Sequence, residues 1–473
     1  MVFSSLEFIC VFLPVVFLLY CILPGIRLKN ALLIVASLLF YAYGEPRYVL
    51  LMIFSAAFNY LSARVMMADR QKKWCLFVNI AVNLGMLAFF KYAAFFIDTW
   101  NQISGMQVKA LEIELPIGIS FFTFQALSYV VDVYRRTVPV QDSFWKVLLY
   151  ISFFPQLIAG PIVKYKDIAQ ALEDRKMDIG QVSDGMRRFI CGLGKKILIA
   201  NTMGQAADAV FQADYANINI LVAWIGAVSY MLQIYYDFSG YSDMAIGLGK
   251  MFGFQFRENF QYPYGAASIK EFWRRWHISL STWFKEYLYI PLGGNQKGKL
   301  RTGINKFIVF FCTGLWHGAN WTFVLWGLYH GFFSVLEGSL PFIKKIPKPI
   351  MYLYTMLVVC TGFVIFRADT VSQGIYIIQQ MFAGISFGSH AMSFAAGQMT
   401  PWFIAMLLLG LFGMAPVRPL AERIRRIVYG ETVQGASYRM VQMFLCTASV
   451  VVLLWCMIRL SGNTYNPFIY FRF

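Results

Sequence analysis

Runs of apolar residues recur along nearly the whole chain, and they limit the folds open to it more than any other feature. Of the 473 residues, 59% are hydrophobic and only 14% are charged. A backbone inside lipid must satisfy its own hydrogen bonds, so long apolar runs cross a bilayer as helices. The sequence therefore predicts an all-α polytopic membrane protein with about ten to twelve transmembrane helices. The expected spans are residues 6–23, 30–43, 48–61, 76–97, 116–133, 144–159, 188–210, 218–236, 307–336, 350–366, 401–414 and 440–458.

Two stretches rich in glycine and proline interrupt this pattern, at residues 155–161 and 240–253. Irregular backbone at membrane depth is tolerated only where it is buried in protein or lines a cavity. We therefore expect broken or re-entrant helices at both places. Asp237 and Asp243 flank the start of the second stretch, and a carboxylate there either polarises a histidine or caps a broken helix.

The net charge of +17 does not indicate nucleic-acid binding, because the Lys and Arg residues are dispersed in short loops between the apolar runs. Basic loops follow the first, third and fifth spans and precede the last one, whereas the intervening loops carry little positive charge. The positive-inside rule then places these basic loops in the cytosol and both chain termini outside. The first apolar run lacks a basic flank and a cleavage site, and we interpret it as a retained anchor.

One histidine lies deep in an apolar run. Residues 307–333 contain no Asp, Glu, Lys or Arg, and a continuous helix through them would carry His317 about 15 Å from its start, near the middle of the bilayer. An ionisable group at that depth is costly and is a functional-site hypothesis by default, although a neutral histidine also serves to bond a neighbouring helix. Asn320 follows His317 and belongs to the same candidate site.

The least hydrophobic long segment is residues 257–301, a cationic and aromatic cassette. On a continuous helix, i, i+3 and i+4 spacing brings four of its polar residues to one face: Arg274, His277, Ser281 and Lys285. Two interpretations stay open. The cassette is either an interfacial helix at the cytosolic headgroups, or a surface whose cations, with Arg275, bind the phosphates of a donor while Trp276 stacks on its base or shields a thioester.

Several long motifs, occurring in order along the chain, resemble the membrane-bound O-acyltransferase family, and most of all its alginate O-acetyltransferase membrane subunits. They are PIGISFFTFQ at 116–125, FPQLIAGP at 154–161, YDFSGYSD at 236–243, and the segments 271–291 and 315–331. The resemblance implies a ring of tilted helices, with re-entrant and interfacial helices, around a central tunnel that takes the acyl donor from the cytosol. It also implies a single membrane-embedded acyltransferase domain, with N-terminal helices (1–143), a catalytic core (144–340) that includes the cytosolic cassette, and C-terminal helices and tail (341–473).

The catalytic histidine of the family corresponds to His317, and its second signature polar position to His277. Acyl transfer from a thioester needs the attacking hydroxyl to lose its proton, and a neutral imidazole is suited to that near pH 7. His277 would orient the thioester, position the acceptor or stabilise the oxyanion. His330 is expected to be a packing or hydrogen-bonded residue, and His390 a solvated residue in a loop rich in glycine and serine. The histidine spacing fits no metal motif, and the eight cysteines, without C-x-x-C spacing, are expected to be core hydrophobes.

The family resemblance implies acetyl-CoA as a substrate rather than a bound cofactor, and no metal. It implies an extracytoplasmic polysaccharide acceptor, alginate or a related polymer, a secreted or membrane-anchored SGNH-type acetyltransferase as partner, and location in a bacterial cytoplasmic membrane. The donor and tunnel residues would be Arg274, Arg275, Trp276, Ser281, Lys285, Asn320 and Asp237.

The C-terminal residues FIYFRF resemble the C-terminal motif of the small peptide that works with D-alanine-exporting members of the family, in which the tyrosine is implicated as an acyl carrier. That resemblance implies that Tyr470 accepts acetyl with help from His317 and passes it to the partner's serine. An aromatic anchor at the outer interface is the other interpretation of this tail. Transfer of D-alanine or acylation of peptidoglycan, a membrane transporter and a structural scaffold remain open as other functions.

Overall fold

The computed structural model describes residues 1–68, 72–109, 113–158, 160–340, 343, 345–415, 436–462 and 465–469. Regular structure in these ranges is entirely helical. The helices are α1 (Phe8–Ile22), α2 (Gly25–Ala42), α3 (Val49–Ala68), α4 (Lys72–Ser104), α5 (Ile119–Tyr134), α6 (Phe144–Ser152), α7 (Phe154–Leu157), α8 (Tyr165–Glu173), α9 (Ile179–Gly194), α10 (Asn201–Phe211), α11 (Ile220–Met251), α12 (Ile269–Arg275), α13 (Ile278–Phe284), α14 (Gly298–His317), α15 (Trp321–Ser339), α16 (Lys348–Arg367), α17 (Val371–Ala383), α18 (Ser389–Gln398), α19 (Pro401–Gly413) and α20 (Ala436–Gly462). A π-helical segment, Lys195–Ala200, joins α9 to α10.

The expected class, an all-α polytopic membrane protein, is confirmed. Among the described residues, six helices are long and apolar enough to cross a membrane, or seven when the bent pair α18 and α19 is one span. The six lie in α2, α3, α4, α11, α16 and α20. The number is below ten to twelve because several expected spans fold as shorter pieces. The run 144–159, for example, contains α6 and α7, with the break expected near Pro155.

Helix α11 is continuous for 32 residues, so the expected break at 240–253 is wrong for its helical part. The glycines there serve close packing instead. A Cβ on Gly240 would lie 2.7 Å from the carbonyl oxygen of Gly192 in α9, and a Cβ on Gly247 would lie 2.5 Å from that of Gly185. Small residues at matched positions let two membrane helices approach backbone to backbone. This contact makes α11 a rigid central element of the core.

The expected single span 307–336 is instead a hairpin of two antiparallel helices, α14 and α15. The chain turns at Gly318, whose backbone is extended, and Asn320 caps α15 by accepting a hydrogen bond of 3.0 Å from the Thr322 amide. His317 is therefore the last residue of α14 rather than a mid-helix residue. Its predicted depth, which assumed one straight helix, does not apply, because the hairpin turn itself carries the histidine.

Candidate functional site

His317 is buried at the end of α14 among aromatic rings. Its ring centroid lies 5.1 Å from that of Trp326 in α15 and 5.1 Å from that of Phe366 in α16. The neighbouring Trp316 ring is 5.0 Å away. Side chains from three helices thus surround the imidazole with aromatic rings.

A lysine from α4 secures the end of α14. The Lys91 ammonium donates hydrogen bonds to the carbonyl oxygens of Trp316 at 2.6 Å and His317 at 3.1 Å. Tyr92, the next residue, donates its hydroxyl to the Leu315 carbonyl. The last carbonyls of a helix have no intrahelical partner, and a cation there also complements the helix dipole. Lys91 and Tyr92 therefore supply the C-terminal cap of the helix that carries His317.

His277 lies between α12 and α13 with φ +43° and ψ +55°, a left-handed backbone conformation that is rare for residues other than glycine. It is 1% exposed. Because the helix breaks there, the expected shared face of Arg274, His277, Ser281 and Lys285 is wrong. His277 points into the core, whereas the side chain of Arg274 is 77% exposed.

The tautomer of His277 follows from its hydrogen bonds. Asn259 Oδ1 accepts from the backbone amide of Ser279 at 3.1 Å, which identifies that atom as the oxygen. His277 Nδ1 lies 3.2 Å from the same oxygen and must donate to it. In the neutral ring, Nε2 then carries the lone pair. Nε2 is buried and makes no hydrogen bond within the described part of the chain.

The two histidines both contact the ring of Trp316. The centroid of the Trp316 ring is 5.9 Å from that of His277 and 5.0 Å from that of His317. The structure therefore brings His277 and His317 to the same indole, so the site offers two nitrogen-bearing groups near one another.

Cavities border His317 on two sides. One, of about 170 Å³, is lined by Lys91, by residues 115–121 and by Trp316 and His317. A second, of about 10 Å³, lies between His317, Trp276 and Ile469. A larger cavity of about 350 Å³ lies beyond the hairpin turn and is lined by Asn320, Arg367 and Asp369 among others. The imidazole thus lines the cavity of about 170 Å³ and the much smaller void beside Trp276.

The cassette residues divide between the core and the surface. Trp276 is buried and lines the small cavity with His317. Lys285 is exposed, and Ser281 donates to the Trp273 carbonyl at 3.2 Å. Arg275 binds Glu271 at 2.6 Å. Of the five expected cassette residues other than His277, the structure therefore brings only Trp276 to the histidines.

Glu271 organises the start of α12. Its Oε2 accepts from the Ala267 amide at 3.0 Å, and its own amide donates to Ser268 Oγ at 3.1 Å. The bond from the Ala267 amide, and then the nearby Arg275 guanidinium, lower the pKa of the Glu271 carboxyl. This reciprocal cap defines where α12 begins and hence where the chain reaches Trp276 and His277.

The remaining predicted residues have other partners. Asp237 forms an ion pair with Lys196 at 2.8 Å and accepts a 2.8 Å hydrogen bond from the Ile469 amide. Asn320 caps α15 and donates to the Asp369 carbonyl at 3.0 Å. Tyr470 lies outside the described residues.

The two other histidines differ in environment. His330 is fully buried, with its ring centroid 5.0 Å from that of Trp273 and 5.2 Å from that of Trp326. This matches the packing role expected of it. His390 is exposed, as expected, but it lies in α18 rather than in a loop. Among the residues that the structure describes, no group of three or more His, Cys, Asp or Glu side chains could hold a metal ion.

Sequence reasoning missed three important residues: Lys91, Asn259 and Lys196. A signal existed for Lys91, since it is the one charged residue in the apolar run 76–97. Lys196 likewise lies within an expected span, 188–210. Nothing in the local sequence marks Asn259, because its importance depends on contacts with His277 and Ser279 across a chain reversal.

The fold and site define a multi-pass membrane protein with a buried centre of two histidines. The family model for membrane-bound O-acyltransferases matches residues 137–366, a range that includes both histidines. The relatives extend this match over the full length. "Probable alginate O-acetylase AlgI" of Pseudomonas putida is 38% identical and that of Pseudomonas aeruginosa is 38% identical, each over 100% of both chains. A "Peptidoglycan O-acetyltransferase" of Helicobacter pylori is 36% identical over 80% of both chains.

The chain therefore belongs to the membrane-bound O-acyltransferase family. It is an enzyme, a membrane O-acetyltransferase. Of the functional classes that the sequence left open, this result selects the acyltransferase over the transporter and the scaffold.

Proposed function

We propose that this protein takes acetyl from cytosolic acetyl-CoA and delivers it across the membrane for O-acetylation of an extracytoplasmic polysaccharide, with His317 as the general base. The observation that carries the proposal is the buried imidazole of His317, which lines a cavity of about 170 Å³ and shares the Trp316 ring with a second histidine, His277. Alginate or a related polymer is the acceptor class that the alginate O-acetylases support. The peptidoglycan O-acetyltransferase supports a second candidate, acetylation of peptidoglycan.

The chemistry balances with the residues present. His317 removes the proton from the attacking hydroxyl, whose oxygen bonds to the thioester carbon. As the C–S bond breaks, the CoA sulfur takes the proton back from the imidazolium, giving the ester and free CoA. The lone pair on His277 Nε2 suits acceptance of a hydrogen bond from the hydroxyl. Among the roles expected for His277, this tautomer favours positioning the acceptor over stabilising the oxyanion.

The donor would reach this centre from the cassette side. Exposed Arg274 and Lys285 would bind CoA phosphates at that surface, and buried Trp276 borders the space next to His317. Arg275, Ser281, Asn320 and Asp237 would act by holding local structure. Their own hydrogen bonds and ion pairs support that assignment.

Transfer through Tyr470 forms the second part of the proposal. Ile469, the preceding residue, lines the small cavity with His317, and consecutive Cα atoms are about 3.8 Å apart. His317 would deprotonate the tyrosine hydroxyl, which takes acetyl from CoA. An SGNH-type partner on the outer side would then remove it through its serine, which regenerates the phenol.

A bacterial cytoplasmic membrane, with both termini outside, fits this vectorial reaction. The basic loops argue for that orientation. The Asn466 side chain donates to the Ser4 carbonyl at 2.8 Å, which supports both ends of the chain lying on one side.

The deciding experiment incubates the purified protein in nanodiscs with radiolabelled acetyl-CoA, followed by peptide mass analysis. Wild type and a His390→Ala control, altered at an exposed histidine, should release CoA and carry label on Tyr470. His317→Ala should do neither. Turnover retained in His317→Ala would overturn the catalytic assignment. Turnover of a D-alanyl carrier protein, with none of acetyl-CoA, would overturn the donor. Full polymer acetylation in cells by Tyr470→Phe would overturn the tyrosyl step alone.

A further inference from the structure

The described residues of the C-terminal tail, 465–469, pack against the helical core, and the last two of them are buried. The Tyr465 hydroxyl donates to Asp208 at 2.6 Å, and Asn201 donates to the Tyr465 carbonyl at 3.2 Å. Phe468 is buried and its ring stacks on that of Tyr241 with centroids 4.7 Å apart. The tail is thus held by side chains of the helical core and is not a free surface strand.

A buried ion pair binds the tail backbone at two points. Lys196 in the π-helical segment and Asp237 in α11 lie 2.8 Å apart, with side chains 3% and 1% exposed. Lys196 also donates to the carbonyl of Pro467, and Asp237 accepts from the amide of Ile469 at 2.8 Å. Each member of the pair therefore makes an ionic contact with its partner and a hydrogen bond to the tail.

We propose that Lys196 and Asp237 are positioning residues that fix the register of the tail, so that Ile469 is held at the cavity that it shares with His317. The proposal rests on the proposed carrier role of Tyr470. The two side chains bind backbone atoms two residues apart, the Pro467 carbonyl and the Ile469 amide. A shift of the tail in either direction would move both atoms away from their charged partners.

Linking the π-helical segment to α11 does not require the Lys196–Asp237 pair, because a neighbouring ion pair already joins the same two elements. Lys195, the adjacent residue, binds Asp243 one and a half turns along α11 at 2.7 Å, and Asp243 also binds Arg188 at 2.8 Å. That pair makes no contact with the described tail. It therefore offers a matched control, with the same residue types, the same elements and a comparable link between them.

The test compares Lys196→Met and Asp237→Asn with Lys195→Met and Asp243→Asn in purified full-length protein. The first measurement is the rate at which carboxypeptidase removes C-terminal residues. The second is the ratio of acetyl delivered to acceptor to CoA released, with the partner transferase supplied. Breaking the tail anchor should raise digestion and lower the ratio, each by at least about tenfold relative to the control variants. Lys196→Arg should recover part of both.

Two tail variants protect the test against misfolding of the core. Ile469→Pro removes the backbone N–H that donates a hydrogen bond to Asp237, whereas Ile469→Ala keeps it. Only the proline variant should reproduce the effects of Asp237→Asn. Equal digestion of anchor and control variants would overturn the proposal, as would faster digestion with an unchanged ratio. Absence of label on wild-type Tyr470 would instead refute the carrier step, and the digestion and ratio would still decide whether the anchor positions the tail for transfer.

Discussion

Lys91 and His317 are joined through the end of α14, where the ammonium group of the lysine donates a 3.1 Å hydrogen bond to the carbonyl of the histidine. A second bond, of 2.6 Å, reaches the carbonyl of Trp316. The proposed catalytic base therefore depends on a helix from the N-terminal region, more than 200 positions away in the chain. The part of the protein outside the matched family range contributes directly to the geometry of the site.

Replacing Lys91 should impair catalysis and stability together. Lys91→Met removes a charge-assisted cap from α14, and bonds of this type contribute about 1.5–3 kcal/mol. We expect a transfer rate at least about tenfold lower and a lower unfolding temperature. Lys73→Met, which alters an exposed lysine of the same helix, is the control in assays of CoA release and thermal unfolding. Equal rates and equal unfolding temperatures for the two variants would contradict this prediction.

The tautomer of His277 should depend on Asn259. Asn259→Ala removes the acceptor for the imidazole Nδ1 proton, whereas Asn259→Asp keeps an oxygen at that place. We expect the alanine variant to lose about five- to tenfold in the turnover number, since a hydrogen bond of about 1–1.5 kcal/mol selects the tautomer. The aspartate variant should retain more activity than the alanine variant. The reverse order would show that His277 does not need its Nδ1 acceptor.

The α14–α15 hairpin should tolerate no side chain at its closest approach. A Cβ on Gly327 would lie 2.4 Å from the Phe310 carbonyl oxygen, whereas a Cβ on Gly303 would meet Val335 at an ordinary 3.6 Å. Gly327→Ala should therefore destabilise the protein by about 1–3 kcal/mol and displace His317, with loss of transfer activity. Gly303→Ala should leave the unfolding temperature and activity near wild type. Unfolding of both variants followed by tryptophan fluorescence, with CoA release, measures the difference.

Glu271 should make part of the stability dependent on acid. Its pKa is lowered in the folded state by the Ala267 amide and by Arg275, so its contribution is present above the unfolded pKa of about 4.3 and is lost as the pH falls through the lower folded pKa. Glu271→Gln should unfold a few degrees below wild type at pH 7. The gap should close on acidification. A gap that stays constant from pH 7 to below that range would contradict a contribution from the charge.

The sequence predicted the class of fold and the central residue, because apolar runs and an uncharged stretch around a histidine are local signals. His317 has the uncharged stretch, Trp276 the aromatic cassette and the break near Pro155 a stretch rich in glycine and proline. The structure brings His317 and Trp276 to one cavity and breaks the helix before Phe154. The hairpin turn at Gly318 was missed, since an apolar run of 30 residues fits one long helix as well as two short ones. The glycines of α11 were ambiguous in the same way. They fit a break in the helix as well as close packing of two helices, and the structure shows close packing.

Features that depend on distant partners were beyond the sequence. Asp237 was predicted to be functional, but nothing nearby in the chain indicates that its partners are Lys196 and the amide of Ile469. The same is true of Asn259, which meets His277 only because the chain reverses between them. Burying these polar groups costs free energy unless each finds a hydrogen-bond or ionic partner, and those partners come from distant parts of the chain in the folded core.

Because the tail and the cavity that it enters belong to one polypeptide, their association is unimolecular. Only residues 463 and 464 separate the end of α20 from the docked residues, so the tether is short and the effective concentration of the tail is in the millimolar range or above. Occupancy is then independent of how much protein a cell makes, and the stoichiometry is one tail for each site. A free peptide would have to compete against that tether, and neither overexpression nor dilution in detergent would strip the site of its own tail.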